Sequence, residues 1–219
     1  MKNISRLTFL FLMAWSALCY AYDDEDFQVW NTDVEEFQIG TDTRLALEEE
    51  FHWGDNAGEF YYQHYDIGIR HGFNKHLIAG AGYRQIYERK SGDFKEENSS
   101  YVIAILFFEE SGFVFEDCNK IEYKDYDYQQ DFWRYRNKFT LRLPFKFTKF
   151  ELQPYVSDEI FVGFASATNQ FNQNRAQAGF GMKLLSWLKA EIYYMRLSVK
   201  GSAGWREANV LGTKMKLSF

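Results

Sequence analysis

Among the titratable residues of this chain, Glu48, His64 and Arg84 have the types and spacing that could do chemistry. A carboxylate beside an imidazole can orient it as a general base. The three are distant in sequence, so two chain reversals must bring them together. A reversal centred on 54–58 pairs residues whose numbers add to about 112, which sets Glu48 beside His64. A second, centred on 72–76, pairs residues adding to about 148 and sets His64 beside Arg84. The same arithmetic across 144–149 makes Arg142 face Glu151 and Arg134 face Glu159. No serine or cysteine falls at the level of the first trio, so these seven residues read as a network of paired charges. His52, Glu88, Asp125, Asp127 and Asp131 gather near the opposite turns. Of these, His52, Glu88 and Asp131 are the candidate catalytic residues of a rim hydrolase. Gly80-Ala81-Gly82 lacks the third glycine of a dinucleotide fingerprint. His52, His64, His71 and His76 show no metal-ligand spacing with Cys118, so no metal or cofactor is expected.

The elements that position these residues are strands. From residue 27 onward no apolar pattern at helical spacing lasts three turns; period-two alternation recurs instead. Strands are expected near 27–37, 42–53, 59–71, 76–89, 98–108, 112–123, 131–143, 150–163, 174–184, 187–199 and 207–219. Soluble strands average five or six residues, whereas a tilted strand needs about 9–11 to cross a bilayer. Short turns at Gly40–Thr41, Gly72–Lys75, Glu109–Gly112, Pro144–Lys149 and Leu185–Ser186 alternate with longer polar loops, as in outer-membrane barrels. The faces separate as well. On the last segment Leu211, Met215, Leu217 and Phe219 oppose Lys214 and Lys216. On the second, Leu45, Leu47, Phe51 and Trp53 oppose Glu48, Glu50 and His52. On the seventh, Trp133, Tyr135, Phe139 and Leu141 oppose Arg134, Arg136, Lys138 and Arg142. A greasy outer face and a charged inner one suit a barrel in lipid, although Glu49, Asn137 and Asp158 fall on the outer face. Gly80, Gly82, Gly179 and Gly181 are expected to leave room for large inner side chains.

The chain has 219 residues, 46% of them hydrophobic and 20% aromatic, with a formal charge of −6 and two cysteines. That load excludes a disordered chain, the cysteine count excludes a disulfide scaffold, and the acidic balance argues against nucleic acid. Lys2 and Arg6, the apolar run Leu7–Trp15 and the exit Ala17-Leu18-Cys19-Tyr20-Ala21 form an expected signal peptide over 1–21. Its removal would leave 23 basic against 31 acidic residues, a formal −8, and Cys118 without a partner.

Several runs carry a resemblance. They are Asp131-Phe132-Trp133-Arg134-Tyr135-Arg136-Asn137-Lys138, Leu152 through Phe161, Asn209 through Lys214, Leu47-Glu48-Glu49-Glu50, and Gly82 through Glu88. Together they resemble domain of unknown function 2490, a bacterial family that implies an outer-membrane-type barrel and no activity.

The expectation is therefore an all-β, antiparallel, up-and-down transmembrane barrel in the outer membrane of a Gram-negative bacterium. If both chain ends lie in the periplasm the strand number is even, so ten strands are expected, or twelve if one segment is split. Residues 22–40 are then an N-terminal segment or first strand, and 41–219 the barrel. The expected function is a structural barrel or narrow pore with a charge-paired lumen. Its partners would be outer-membrane lipid and the assembly machinery, which would read the strand ending at Phe219; the state expected is monomeric. The alternatives are an outer-membrane hydrolase of peptide, lipid or lipopolysaccharide, and a soluble periplasmic β-barrel binding module.

Overall fold

The protein is described by a computed structural model covering residues 24–165, 168–201 and 204–219; the expected signal peptide lies outside them. Every regular element described is a strand. In chain order they are β1 (Asp26–Gln38), β2 (Thr43–Gly54), β3 (Glu59–Asn74), β4 (Leu77–Lys90), β5 (Asp93–Glu110) and β6 (Phe113–Tyr126). There follow β7 (Phe132–Arg142), β8 (Gln153–Ala165), β9 (Thr168–Lys183), β10 (Leu188–Gly201) and β11 (Gly204–Ser218). Each sequence-neighbouring pair is antiparallel, and the sheet closes into a barrel where β1 meets β11.

The closure corrects the strand count. Eleven strands form the wall, neither ten nor twelve. Residues 26–38, expected as an appendage or a first strand, are a full stave, hydrogen-bonded to β2 and β11. With an odd number of alternating strands the first and last run the same way, so β1 pairs with β11 in parallel, Asp26 against Ala208 and Glu36 against Ser218. The even count presumed that both chain ends lie at one end of the barrel. With eleven strands the start of β1 and the end of β11 lie at opposite ends, and one parallel ladder closes the wall. Backbone hydrogen bonds from Gln38 to Phe219 and from Phe219 to Glu36 tie the last residue to β1.

Pairing between β2, β3 and β4 is displaced by two residues from the sequence arithmetic. Glu48 stands opposite Asp66 and Asp66 opposite Arg84, while His64 faces Glu50. Two causes add. The turns are centred later than expected, and bulges at Tyr61 and Phe73 each insert a residue. A displacement of one would have reversed every side chain; two leaves the inner set unchanged. Across β7 and β8 the displacement is four, because the connection carries its own small bridge between Phe147 and Leu152. Arg142 therefore faces Tyr155, Arg134 faces Gly163, and Glu159 lies opposite Lys138.

The two faces of the wall sort as the alternation requires. Leu211, Met215, Trp133, Phe139, Val102 and Ile67 point outward and are 39–55% exposed. Inside, charge is not uniform. β10, β11 and β1 line the lumen with Trp30, Tyr193, Met195, Leu197, Ala208 and Val210, joined by Tyr155 of β8. β5 adds Tyr101, Ile103 and Ile105. The expected charged lining thus holds over β2–β4 and β6–β9 and gives way to apolar packing over much of β10, β11, β1 and β5. Glycines make space for the largest inner side chains. A Cβ at Gly82 would strike the Tyr101 ring, and one at Gly212 the Tyr193 ring.

Candidate functional site

Two networks of buried charge meet in the lumen. In the first, Glu48 Oε1 accepts from Arg84 Nη2 at 2.9 Å and lies 3.2 Å from His64 Nε2. Arg84 Nε donates to Asp66 at 2.8 Å, and the Tyr101 hydroxyl donates to the other oxygen of Asp66 at 2.6 Å. Glu50 lies 2.6 Å from His52 Nε2 and accepts from the Thr32 hydroxyl at 2.9 Å. His52 is clamped between the Trp30 and Tyr62 rings, with centroids at 3.6 and 4.2 Å. Burial at this site is tolerable because each carboxylate has a donor and each imidazole a partner.

The second network sits on β6–β9. Glu122, 2% exposed, binds Arg134 at 2.7 Å through one oxygen and Arg136 at 2.9 Å through the other. Arg136 continues to Glu159 at 2.7 Å, and Arg175 approaches the far oxygen of Glu159 at 3.7 Å. The guanidiniums of Arg134, Arg136 and Arg175 all lie over the ring of Phe161, at 5.3, 4.7 and 4.9 Å. Arg175 also covers Trp30 at 4.8 Å, and Trp30 stacks on His52. One guanidinium therefore links both networks into a continuous plug of ion pairs and cation–π contacts.

The sequence-derived pairs fare differently. Glu48, His64 and Arg84 are brought together, with Arg84 and His64 sharing the same carboxylate oxygen. Arg134 and Glu159 are both in the plug but do not pair, since Arg134 takes Glu122 and Glu159 takes Arg136. Arg142 pairs with Glu191 at 2.8 Å rather than with Glu151. Glu151 leaves the lumen altogether and pairs with Lys146 in the β7–β8 connection. The rim set does not assemble. His52 is 3% exposed and inside the plug, Glu88 pairs with Lys90, and Asp131 accepts from the Tyr123 hydroxyl and the Tyr126 backbone. Glu50, Asp66, Glu122, Arg136 and Arg175 complete the plug. Their signal was parity: Lys120, Glu122 and Lys124 alternate with Ile121 and Tyr123 as clearly as the seventh segment does.

A model of the family described as a protein of unknown function, DUF2490, matches residues 27–208. The chain belongs to the DUF2490 family. No curated protein and no solved structure matches it. The family match begins within β1 and ends within β11.

Within this DUF2490 barrel, one group could in principle hold a cation. Glu48, Glu50 and His64 offer ligand atoms within 4.8 Å of one another. The same oxygens already serve Arg84 and His52, and Lys214 stands 3.7 Å from Glu48. A metal would have to displace those cations, so the donor set favours charge pairing over ligation. Among the described residues the hydroxyl set against these imidazoles is that of Tyr62, 3.1 Å from His64 Nδ1, while Thr32 donates its own to Glu50.

Proposed function

We propose that this chain is a monomeric outer-membrane barrel whose lumen is stoppered at mid-height by its own charged side chains. It would act as a structural barrel with at most a narrow path through it. Residues 1–21 would direct export. The terminal Phe219, 61% exposed and stacked near Phe37 and Trp187, would be the part read by the assembly machinery. The observation that carries the reading is the sorting of the wall: large apolar side chains stand outward around a closed cylinder while ionised ones pair inside. In water such a surface would be an aggregation hazard, whereas hydrocarbon solvates it. Strands of 11–18 residues are long enough to cross.

A second reading, a water-soluble barrel binding module, has its own support. Asp33 and Glu49 stand directly opposite each other on the outer face of β1 and β2, with Glu35 two residues along. Asn137 binds Asp117 and Asn119 across the outer face of β6–β7, and Asn174 binds Asp158 at 2.8 Å. Bacterial single-chain barrels in membranes also carry even strand numbers. Membrane fractionation separates the readings. An outer-membrane barrel stays in the pellet until detergent is added, migrates differently on a gel before and after heating, and gives little or no conductance in a planar bilayer. Release into aqueous buffer without detergent would overturn the membrane reading in favour of the second.

A further inference from the structure

Below the plug, at the short-turn end, the lumen opens into a cavity of about 810 Å³. Its lining carries nine basic and five acidic side chains, an excess of four positive charges in a chain whose formal charge is −6. The excess is concentrated in one row. Lys183 of β9 stands directly opposite Lys189 of β10, and Lys189 directly opposite Lys216 of β11. Like charges abreast on one face of a sheet repel, and adjacent strands are only about 4.8 Å apart.

The nearby acids relieve this row only at Lys216. Glu36 takes Lys216 at 2.7 Å but also serves Arg44 at 3.4 Å and Arg70 at 3.6 Å. Glu191 is held by Arg142 at 2.8 Å. Glu151, whose charge Lys183 and Lys189 both feel, is already held by Lys146 at 2.7 Å. Glu116 and Asp42 complete the acids of the lining. Among the described residues neither Lys183 nor Lys189 has a carboxylate within ion-pair distance.

We propose that this cavity is an anion-binding vestibule for a ligand bearing two or more phosphoryl groups, which the Lys183–Lys189–Lys216 row bridges. Three ammonium groups at strand spacing match several anionic centres in line rather than one, and Arg44, Arg70 and Arg142 add forked donors suited to phosphoryl oxygens. A concave, single-sign site raises the local concentration of such a ligand before contact. The volume falls within the range of small-ligand pockets. The inference goes beyond the membrane reading and does not depend on it, because the row faces the lumen whichever solvent bathes the wall.

The test uses the full chain in non-ionic detergent at low salt, titrated calorimetrically with inorganic tripolyphosphate and, separately, with micelles carrying cardiolipin. Saturable binding to tripolyphosphate alone identifies a soluble phosphoryl ligand, and binding to cardiolipin alone identifies a lipid headgroup; either supports the vestibule. The double variant Lys183→Gln/Lys189→Gln is expected to weaken whichever binding occurs at least tenfold, while Lys200→Gln at the opposite end leaves it unchanged. A denaturant midpoint without added anion guards against misfolding. The double variant should match or exceed the wild type there, because a repulsive row has been relieved. Absence of binding by both probes, wild-type affinity in the double variant, or its lower anion-free stability would each overturn the proposal.

Discussion

At mid-height in the lumen, Glu122 and Glu159 are surrounded by three guanidiniums that share the ring of Phe161. A short distance towards the short turns, three lysines stand abreast: Lys216 is held by Glu36, and among the described residues the other two have no carboxylate at ion-pair distance. The same residue types give a sealed, charge-matched plug in one region and an open basic cup in the other. Access to water accounts for the difference. The plug guanidiniums of Arg84, Arg134 and Arg136 are 10–16% exposed and their carboxylates 2–17%, so each charge must find its partner within the protein. Around the cup the cations on Glu36 are 27–54% exposed and can remain partly hydrated. A protein can leave charge uncompensated only where solvent or a ligand can reach it.

The largest expected effect tests the plug. Glu122→Gln strands Arg134, leaves Arg136 with Glu159 alone, and should cost about 3–5 kcal/mol in urea unfolding of the refolded barrel. A loss below about 1 kcal/mol would mean that the two halves are the same material. Next, Val102→Arg puts a charge on the outer face at the middle of β5, between Ala81 and Ile121. In a lipid vesicle the expected cost is about 2–4 kcal/mol; an unchanged unfolding midpoint would mean that water covers this wall. Glu36→Gln makes in the cup the change that Glu122→Gln makes in the plug. Because its cations keep contact with water, about 1 kcal/mol is expected, and a cost equal to that of Glu122→Gln would erase the contrast.

The smallest effect concerns the β7–β8 connection, outside the wall. Lys146 holds the Glu151 carboxyl below the ordinary glutamate range through a hydrogen bond and its charge. Any contribution from this pair is present above that range and lost as pH falls through the lowered midpoint. Lys146→Ala should leave stability unchanged and move the Glu151 titration, followed by carboxyl carbon NMR, upward toward the ordinary value.

Much of the wall was legible from alternation alone. All eleven segments expected from period-two patterning are strands, with ends shifted by a few residues except at β5 and β9, which start earlier. Side-chain direction on β2, β7 and β11 was legible too, because parity survives any even displacement. The Glu48–His64–Arg84 contact tolerated a displacement of two because long side chains reach diagonal neighbours. The Arg134–Glu159 and Arg142–Glu151 pairs did not tolerate a displacement of four, about 13 Å along a strand.

Composition and alternation by themselves determined that this chain makes long amphipathic strands with oily and charged faces, since a two-residue repeat is a local property of the backbone. Only the tertiary structure decided that eleven of them close through a parallel seam, which cation meets which carboxylate, and that lysines gather where acids are already engaged. Bulges and turn lengths set those registers, and the lumen joins residues from strands distant in sequence. Periodicity within one segment carries no record of either.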